Sequence, residues 1–213
     1  MSNESIDLKK ILNDSRETLL NPKGYFASMP LTGGMVEPLI KAAIYGTLAG
    51  LFSLLWNMLG LSAVGAGLLG GAVGFLSLIY SIIGAIIGVF ICGVIMLVIS
   101  AICGGNTDFE ANLRVAASLM VLYPINAFLA FFYGINFTLG GVLGLAVNLY
   151  GIYLLYEAVI HALKGKESSA KIVIIVLAVL VMLSFFQGRK ATKSLMDYSE
   201  MFEEEQVDEI FYS

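Results

Sequence analysis

The sequence predicts an all-α protein, a polytopic transmembrane helical bundle of five spans with an amphipathic helix at its amino terminus. Three observations lead there. Hydrophobic residues make up 58% of the 213 residues and charged residues 13%, where a soluble domain carries about 25% charged residues. The mean hydropathy is +0.87. The charges are also segregated, with no Asp, Glu, Lys or Arg from Ala42 to Thr107, from Val115 to Tyr156 or from Ile172 to Gly188. A span needs roughly twenty apolar residues, so these runs hold several spans. They leave little chain for a separate soluble domain.

The pattern divides the chain into an amino-terminal segment, 1–35, a membrane domain, 36–188, and an acidic tail, 189–213. Within 3–20, Leu8, Ile11, Leu12 and Leu19 share one helical face, with Lys9, Lys10 and Arg16 off it. That is the pattern of a short helix lying on a membrane surface. Asn21-Pro22 ends it, because a residue before proline avoids the helical region. Tyr25, Phe26 and Met29 then fall at the expected headgroup level. The first apolar run begins well inside the chain, so no cleavable signal peptide is expected.

The first span is predicted from about Val36 to Leu61. SAVGAGLLGGAVG, 62–74, carries five glycines and reads as a turn or a re-entrant stretch. The second span runs from about Ala72 to Cys103, the third from Val115 to Tyr133, the fourth from Leu139 to Leu163 and the fifth from Ile172 to Phe186. Polar loops at 104–114 and 164–171 separate them. With the amino terminus in the cytoplasm, nine of the twelve Lys and Arg fall on the cytoplasmic side and three, Arg189, Lys190 and Lys193, on the other. The positive-inside rule favours that orientation. The 66-residue run from Ala42 leaves room for a third short span, which would move the carboxyl terminus to the cytoplasm. The tail from Ser194 interleaves seven acidic residues with Met201, Phe202, Ile210 and Phe211, as a solvated helix or a disordered tail does.

Chemistry-bearing motifs are scarce. HExxH, GxSxG and GxxxxGKS are absent. One histidine, His161, excludes a multi-histidine metal site, and Cys92 and Cys103 have no metal-ligand spacing. On one helix those cysteines stand about 16 Å apart, too far for a disulfide. No basic stripe suggests nucleic acid. Neither an enzyme nor a bound cofactor is expected.

Two sets of residues stand out. Glycines four apart, Gly46 and Gly50, Gly67 and Gly71, Gly70 and Gly74, Gly84 and Gly88, Gly140 and Gly144, let helix backbones approach closely in lipid. The second set is a candidate polar site of Asp108, Glu110 and Arg114 in the first polar loop, Asn126 in the third span, and Asn148, Glu157 and His161 in the fourth. Ionisable groups at the bilayer centre cost about 2.5–3.5 kcal/mol on insertion scales, so depth decides their meaning. Glu157 and His161 are four apart and share a helix face. They lie seven and three residues before Lys164, nearer the cytoplasmic interface than the midplane. Two alternatives follow: an interfacial pair kept wet beside lysines, or a buried polar site shared with Asp108 or Arg114.

The order and spacing of three segments resemble the Yip family, named for Ypt/Rab-interacting proteins, in the form common in bacteria and archaea. LLNPKGYFASMP, 19–30, resembles the family's opening NP…F…M segment. CGGNTDFEANLRVAASLMVLYPI, 103–125, resembles its loop with a glycine pair and a Phe before the third span, and a proline within that span. LYGIYLLYEAVIHALKGKESSAKIV, 149–173, resembles its fourth span, histidine, short polar loop and fifth span. The resemblance covers roughly residues 19–186. It implies five spans, a cytoplasmic amino terminus and, for a prokaryotic member, the cytoplasmic membrane.

Eukaryotic relatives are linked to Rab GTPases, but the long amino-terminal region and DLYGP-type motif of those relatives are missing here. The resemblance therefore does not carry a Rab-type GTPase over as a partner. The expected role is a non-enzymatic membrane-organising or adaptor component. Its partners would be membrane lipids, cytoplasmic proteins or a second copy in a homo-oligomer. The competing expectation is a small transporter, channel or ion-binding protein using the polar site around Glu157 and His161.

Overall fold

The structure, a computed structural model, describes residues 8–61 and 70–188. Five of its helical stretches are long and apolar enough to cross a membrane. Two short helices precede them: α1 (Leu8–Leu20) and α2 (Pro22–Ser28). The spans are α3 (Val36–Met58), α4 (Gly70–Ile102), a broken third span of α5 (Phe109–Leu119), α6 (Leu122–Leu129) and α7 (Phe132–Ile135), then α8 (Phe137–Glu157) and α9 (Glu167–Gly188). No strand occurs among the described residues. The glycine-rich stretch expected to turn or re-enter lies mostly at 62–69, outside the described residues, as does the acidic tail.

The third span begins at Phe109, six residues before the boundary that charge alone suggests. Asp108 caps it, accepting the Ala111 N–H at 2.9 Å. That capping bond makes 109–114 the first turns of a span, so Glu110 and Arg114 stand on it and not in a loop. The break after Leu119 has a local cause. Pro124 cannot donate to Met120, and its ring would crowd that carbonyl in a continuous helix. It is accommodated in the first turn of α6, where no intrahelical donor is needed.

Successive spans alternate in direction. The start of α3, the end of α4, the start of α5, the end of α8 and the start of α9 therefore meet at one end of the bundle. The two polar connections are joined there by backbone hydrogen bonds: Asn106 donates to Leu163 at 2.7 Å, and Lys166 to Cys103 at 2.8 Å. The glycine pair after α4 makes this possible. Gly104 takes φ +67°, and Gly105 donates back to Ser100 at 2.8 Å, closing a Schellman motif.

The buried core gathers at the same end. Val89 and Met96 of α4, with Cys103 just after it, pack with Ala111, Leu113 and Val115–Ala117 of α5 and with Ala158, Val159, Ala162 and Leu163 after α8, and Phe26 of α2 joins them. At the other end Phe52 and Trp56 pack with Phe128 and Phe131, and Trp56 Nε1 donates to Ala127 at 3.0 Å. The span α9 is peripheral, with only 6% of its most apolar stretch buried against 33% for α3.

Glycine contacts differ between helices. A Cβ on Gly46 would stand 2.6 Å from the Ala85 Cβ, and one on Gly50 2.9 Å from the Leu78 Cα, so α3 and α4 touch backbone to backbone there. A Cβ on Gly140 would stand 2.7 Å from the Tyr133 nitrogen, and one on Gly144 2.9 Å from the Tyr133 hydroxyl. Gly84 and Gly88 face open space. The surroundings of Gly67, Gly70, Gly71 and Gly74 fall outside the description.

Candidate functional site

The site grows from α1 and α2. In α1 the residues turned toward the bundle are Ile11, Asp14, Ser15 and Thr18, while Leu8, Leu12 and Leu20 are exposed. The helix thus presents polar groups inward and leucines outward, the reverse of a helix packed on an apolar core. In a membrane protein this is physically sensible, since outward leucines meet lipid. Asn21 caps α2 through Gly24 N–H at 3.3 Å, and Pro22 occupies its first turn. This start turns Phe26 fully into the core and leaves the Tyr25 hydroxyl facing α3 and α5. The NP…F…M segment is thereby a docking device more than an aromatic anchor in the headgroups.

Two charged side chains of α3 meet this inward polar face. Lys41 is 7% exposed; its ammonium lies 2.6 Å from Asp14 Oδ2 and donates to the Tyr25 hydroxyl at 3.1 Å. That hydroxyl reaches Ser118 of α5 at 2.8 Å. Ser15 meets the Tyr45 hydroxyl at 2.7 Å. Glu37, one turn before Lys41, receives Lys10 at 2.7 Å and Arg114 at 2.8 Å. Glu37 and Lys41 are spaced to pair with each other, yet each is paired with another element.

Arg114 is the centre of the second half. Its side chain is 5% exposed. Nε donates to Glu110 Oε1 at 3.1 Å, Nη1 to Glu37 Oε2 at 2.8 Å, and Nη2 to the Gly34 carbonyl at 2.8 Å. The Gly34 N–H donates to the same Glu110 oxygen at 2.6 Å. Gly33 and Gly34 take φ of +123° and +91°, open to glycine at little cost. A Cβ on Gly33 would stand 2.9 Å from Arg114 Nη2. The TGGM turn is thus shaped around a guanidinium.

Lys10, Lys41 and Arg114 balance Asp14, Glu37 and Glu110 in charge. Placing paired, hydrogen-bonded charges in a poorly solvated site avoids most of the penalty an isolated one would carry. The Glu37 carboxylate also holds the Lys10 ammonium above its ordinary pKa by accepting its hydrogen bond. Between α1, α2, α3 and α5 the network walls a half-open cleft of about 350 Å³.

The other predicted site residues stand apart. Asp108 is a cap. Asn126 and Asn148 each donate to the carbonyl four residues back, Leu122 and Gly144, at 3.1 and 2.8 Å. Glu157 and His161 lie where α8 widens into a π-turn, Ala158–Ala162. Glu157 is 8% exposed. Its Oε2 is 3.1 Å from His161 Nε2, within ion-pair reach, but the two are not aligned as a hydrogen bond, and Oε2 has no hydrogen-bond partner among the described residues. No hydrogen bond or ion pair joins this pair to Asp108 or Arg114 among the described residues. The fourth span is instead tied to the amino terminus through Tyr150, whose hydroxyl donates to the Leu19 carbonyl.

Sequence reading missed Asp14, Gly33, Gly34, Glu37 and Lys41. One signal was present: Glu37 and Lys41 are ionisable residues within the first turns of a span, on one face.

No curated protein and no solved structure matches the chain. A family model, the Yip1 domain, matches residues 16–187. That stretch runs from the second half of α1 through the whole bundle and takes in Glu37, Lys41, Glu110 and Arg114. Over these residues the chain belongs to the Yip1-domain family of integral membrane proteins.

Proposed function

We propose that this Yip1-domain protein is a non-enzymatic membrane-organising or adaptor component, whose amino-terminal end faces the cytoplasm and recruits protein or lipid partners there. A prokaryotic cytoplasmic membrane is the location this reading assigns. The observation that carries it is the network of the buried Arg114 and Lys41 with the half-buried Glu37 and Asp14, which docks α1 and α2 onto the spans. A segment tied down in this way offers a fixed polar surface, and fixed surfaces bind without a large ordering cost. The excess of Lys and Arg at this end supports its cytoplasmic placement.

The test is affinity capture with the full chain in nanodiscs, alongside Arg114→Gln. A reproducible protein or lipid set, lost with the variant, is expected. The absence of any reproducible partner overturns the proposal.

A second reading is favoured by one observation, the buried Glu157 oxygen without a hydrogen bond beside a π-turn. Such turns occur often at functional sites. A small transporter or ion-binding protein would use this group. Liposome flux abolished by Glu157→Gln and by His161→Ala supports it, and impermeable liposomes for every ion tried remove it.

A further inference from the structure

The cleft beneath α1 has a chemistry that narrows its ligand. Its charged lining consists of Lys10, Lys41 and Arg114 against Asp14, Glu17 and Glu37. The walls therefore sum to zero charge, which disfavours a purely anionic or purely cationic guest. The charges are also arranged in depth. Arg114 and Lys41 are nearly buried at 5% and 7% exposure, while Asp14 and Glu37 reach 22% and 30%, and the rim carries one cation, Lys10, beside the exposed Glu17 of α1.

Donor capacity remains at the base. Arg114 has five N–H groups, and three are used by Glu110, Glu37 and Gly34. Lys41 has three, with Asp14 and Tyr25 taking two. Acceptor capacity remains at the rim, because Asp14 meets Lys41 through Oδ2 and Glu17 accepts only a long 3.4 Å bond from Asn21 through Oε2 among the described residues. Met29 and Pro38 add an apolar edge.

We propose that this cleft binds a primary-amine phosphodiester, the head group of an aminophospholipid such as phosphatidylethanolamine. The phosphate would sit against the free donors of Lys41 and Arg114, and the ammonium against Asp14 and Glu17. The size agrees, since ligand pockets start near about 300 Å³. A primary ammonium has three N–H donors for carboxylates, whereas a trimethylated one has none, so the cleft distinguishes the two.

This inference rests on the proposed partner-recruiting function and names a lipid partner for it. The experiment is native mass spectrometry of the full chain with phosphatidylethanolamine, phosphatidylcholine and phosphatidylglycerol of identical acyl chains, with soluble glycerophosphoethanolamine as a fourth probe. Retention of phosphatidylethanolamine about tenfold above the other two lipids is expected, the size of one charge-assisted hydrogen bond. Glu17→Gln, which leaves the buried pairs intact, should erase most of that preference.

Equal retention of the three lipids, or preference for phosphatidylglycerol, overturns the proposal. An unchanged preference in Glu17→Gln overturns the placement of the ammonium. Glycerophosphoethanolamine competing as strongly as the lipid overturns the lipid as the source. If the lipid preference is missing while affinity capture still returns a protein partner, this inference fails and the broader function stands.

Discussion

Arg114 and Glu157 are both buried charges at the same end of the bundle, and they are held in opposite ways. Arg114 gives three hydrogen bonds to groups on α5, α3 and the loop before α3. Glu157 has one ion-pair neighbour, four residues along its own helix, and an oxygen with no hydrogen bond among the described residues. Depth does not separate them. What separates them is whether distant parts of the chain supply partners. A group satisfied from three directions serves to lock elements together, while one left incompletely satisfied keeps capacity for a further partner.

The comparison can be broken most sharply at Arg114. Arg114→Gln leaves the half-buried Glu37 and Glu110 without their common partner, Glu37 keeping only Lys10, and should destabilise the bundle by about 2–4 kcal/mol. Cys103 is buried and free, so thermal exposure of its thiol to a maleimide dye in detergent measures the loss. A melting temperature unchanged in this variant would mean that the network holds nothing together.

Asp14→Asn is the next largest. It strips Lys41 of its ion partner while keeping the shape, and about 1–3 kcal/mol is expected. The effect should be less than additive with Arg114→Gln if the two halves act as one network, which a double-mutant cycle reads directly. Asp108→Ala removes only a cap and should cost about 1 kcal/mol in the same assay. Glu157→Gln sits at the other pole. A neutral amide relieves a buried carboxylate that lacks a full set of partners, so stability should change by less than about 1 kcal/mol or rise. A loss as large as that of Arg114→Gln would erase the distinction between the sites.

The smallest effect concerns pH. Glu37 raises the pKa of Lys10, so this pair stabilises the docked α1 fully below the ordinary lysine value of 10.5 and loses its contribution as pH rises through the raised value. Mobility of a spin label on α1 should therefore stay flat from about pH 6 to 9 and increase only above the lysine range. An increase near neutrality would place the control of α1 elsewhere.

Much of the architecture was legible because lipid makes strong demands on sequence. Uninterrupted apolar runs, bounded by polar loops, read as spans, and the five predicted segments correspond to the five helical stretches long and apolar enough to cross a membrane among the described residues. The start of the third span was less legible. Charge patterning placed Glu110 and Arg114 in a loop, whereas the Asp108 cap begins a helix before them. The inward face of α1 was likewise hidden, because the leucine stripe indicated only a side lying on the membrane, and nothing in the spacing marked Asp14, Ser15 and Thr18 as the face that meets the bundle.

What the sequence determined by itself was membrane insertion, helix number and the clustering of polar groups at segment ends, since each follows from local composition and the cost of burying an unpaired polar group. Only the tertiary structure decided which of those polar groups meet. Lys41 pairs with a residue 27 positions away and Arg114 with one 77 positions away, although Glu37 and Lys41 are neighbours on their own helix. The physical reason is that a buried charge is satisfied by direction and distance in space. Spacing along a helix offers partners, and the packing of α1, α3 and α5 selects among them.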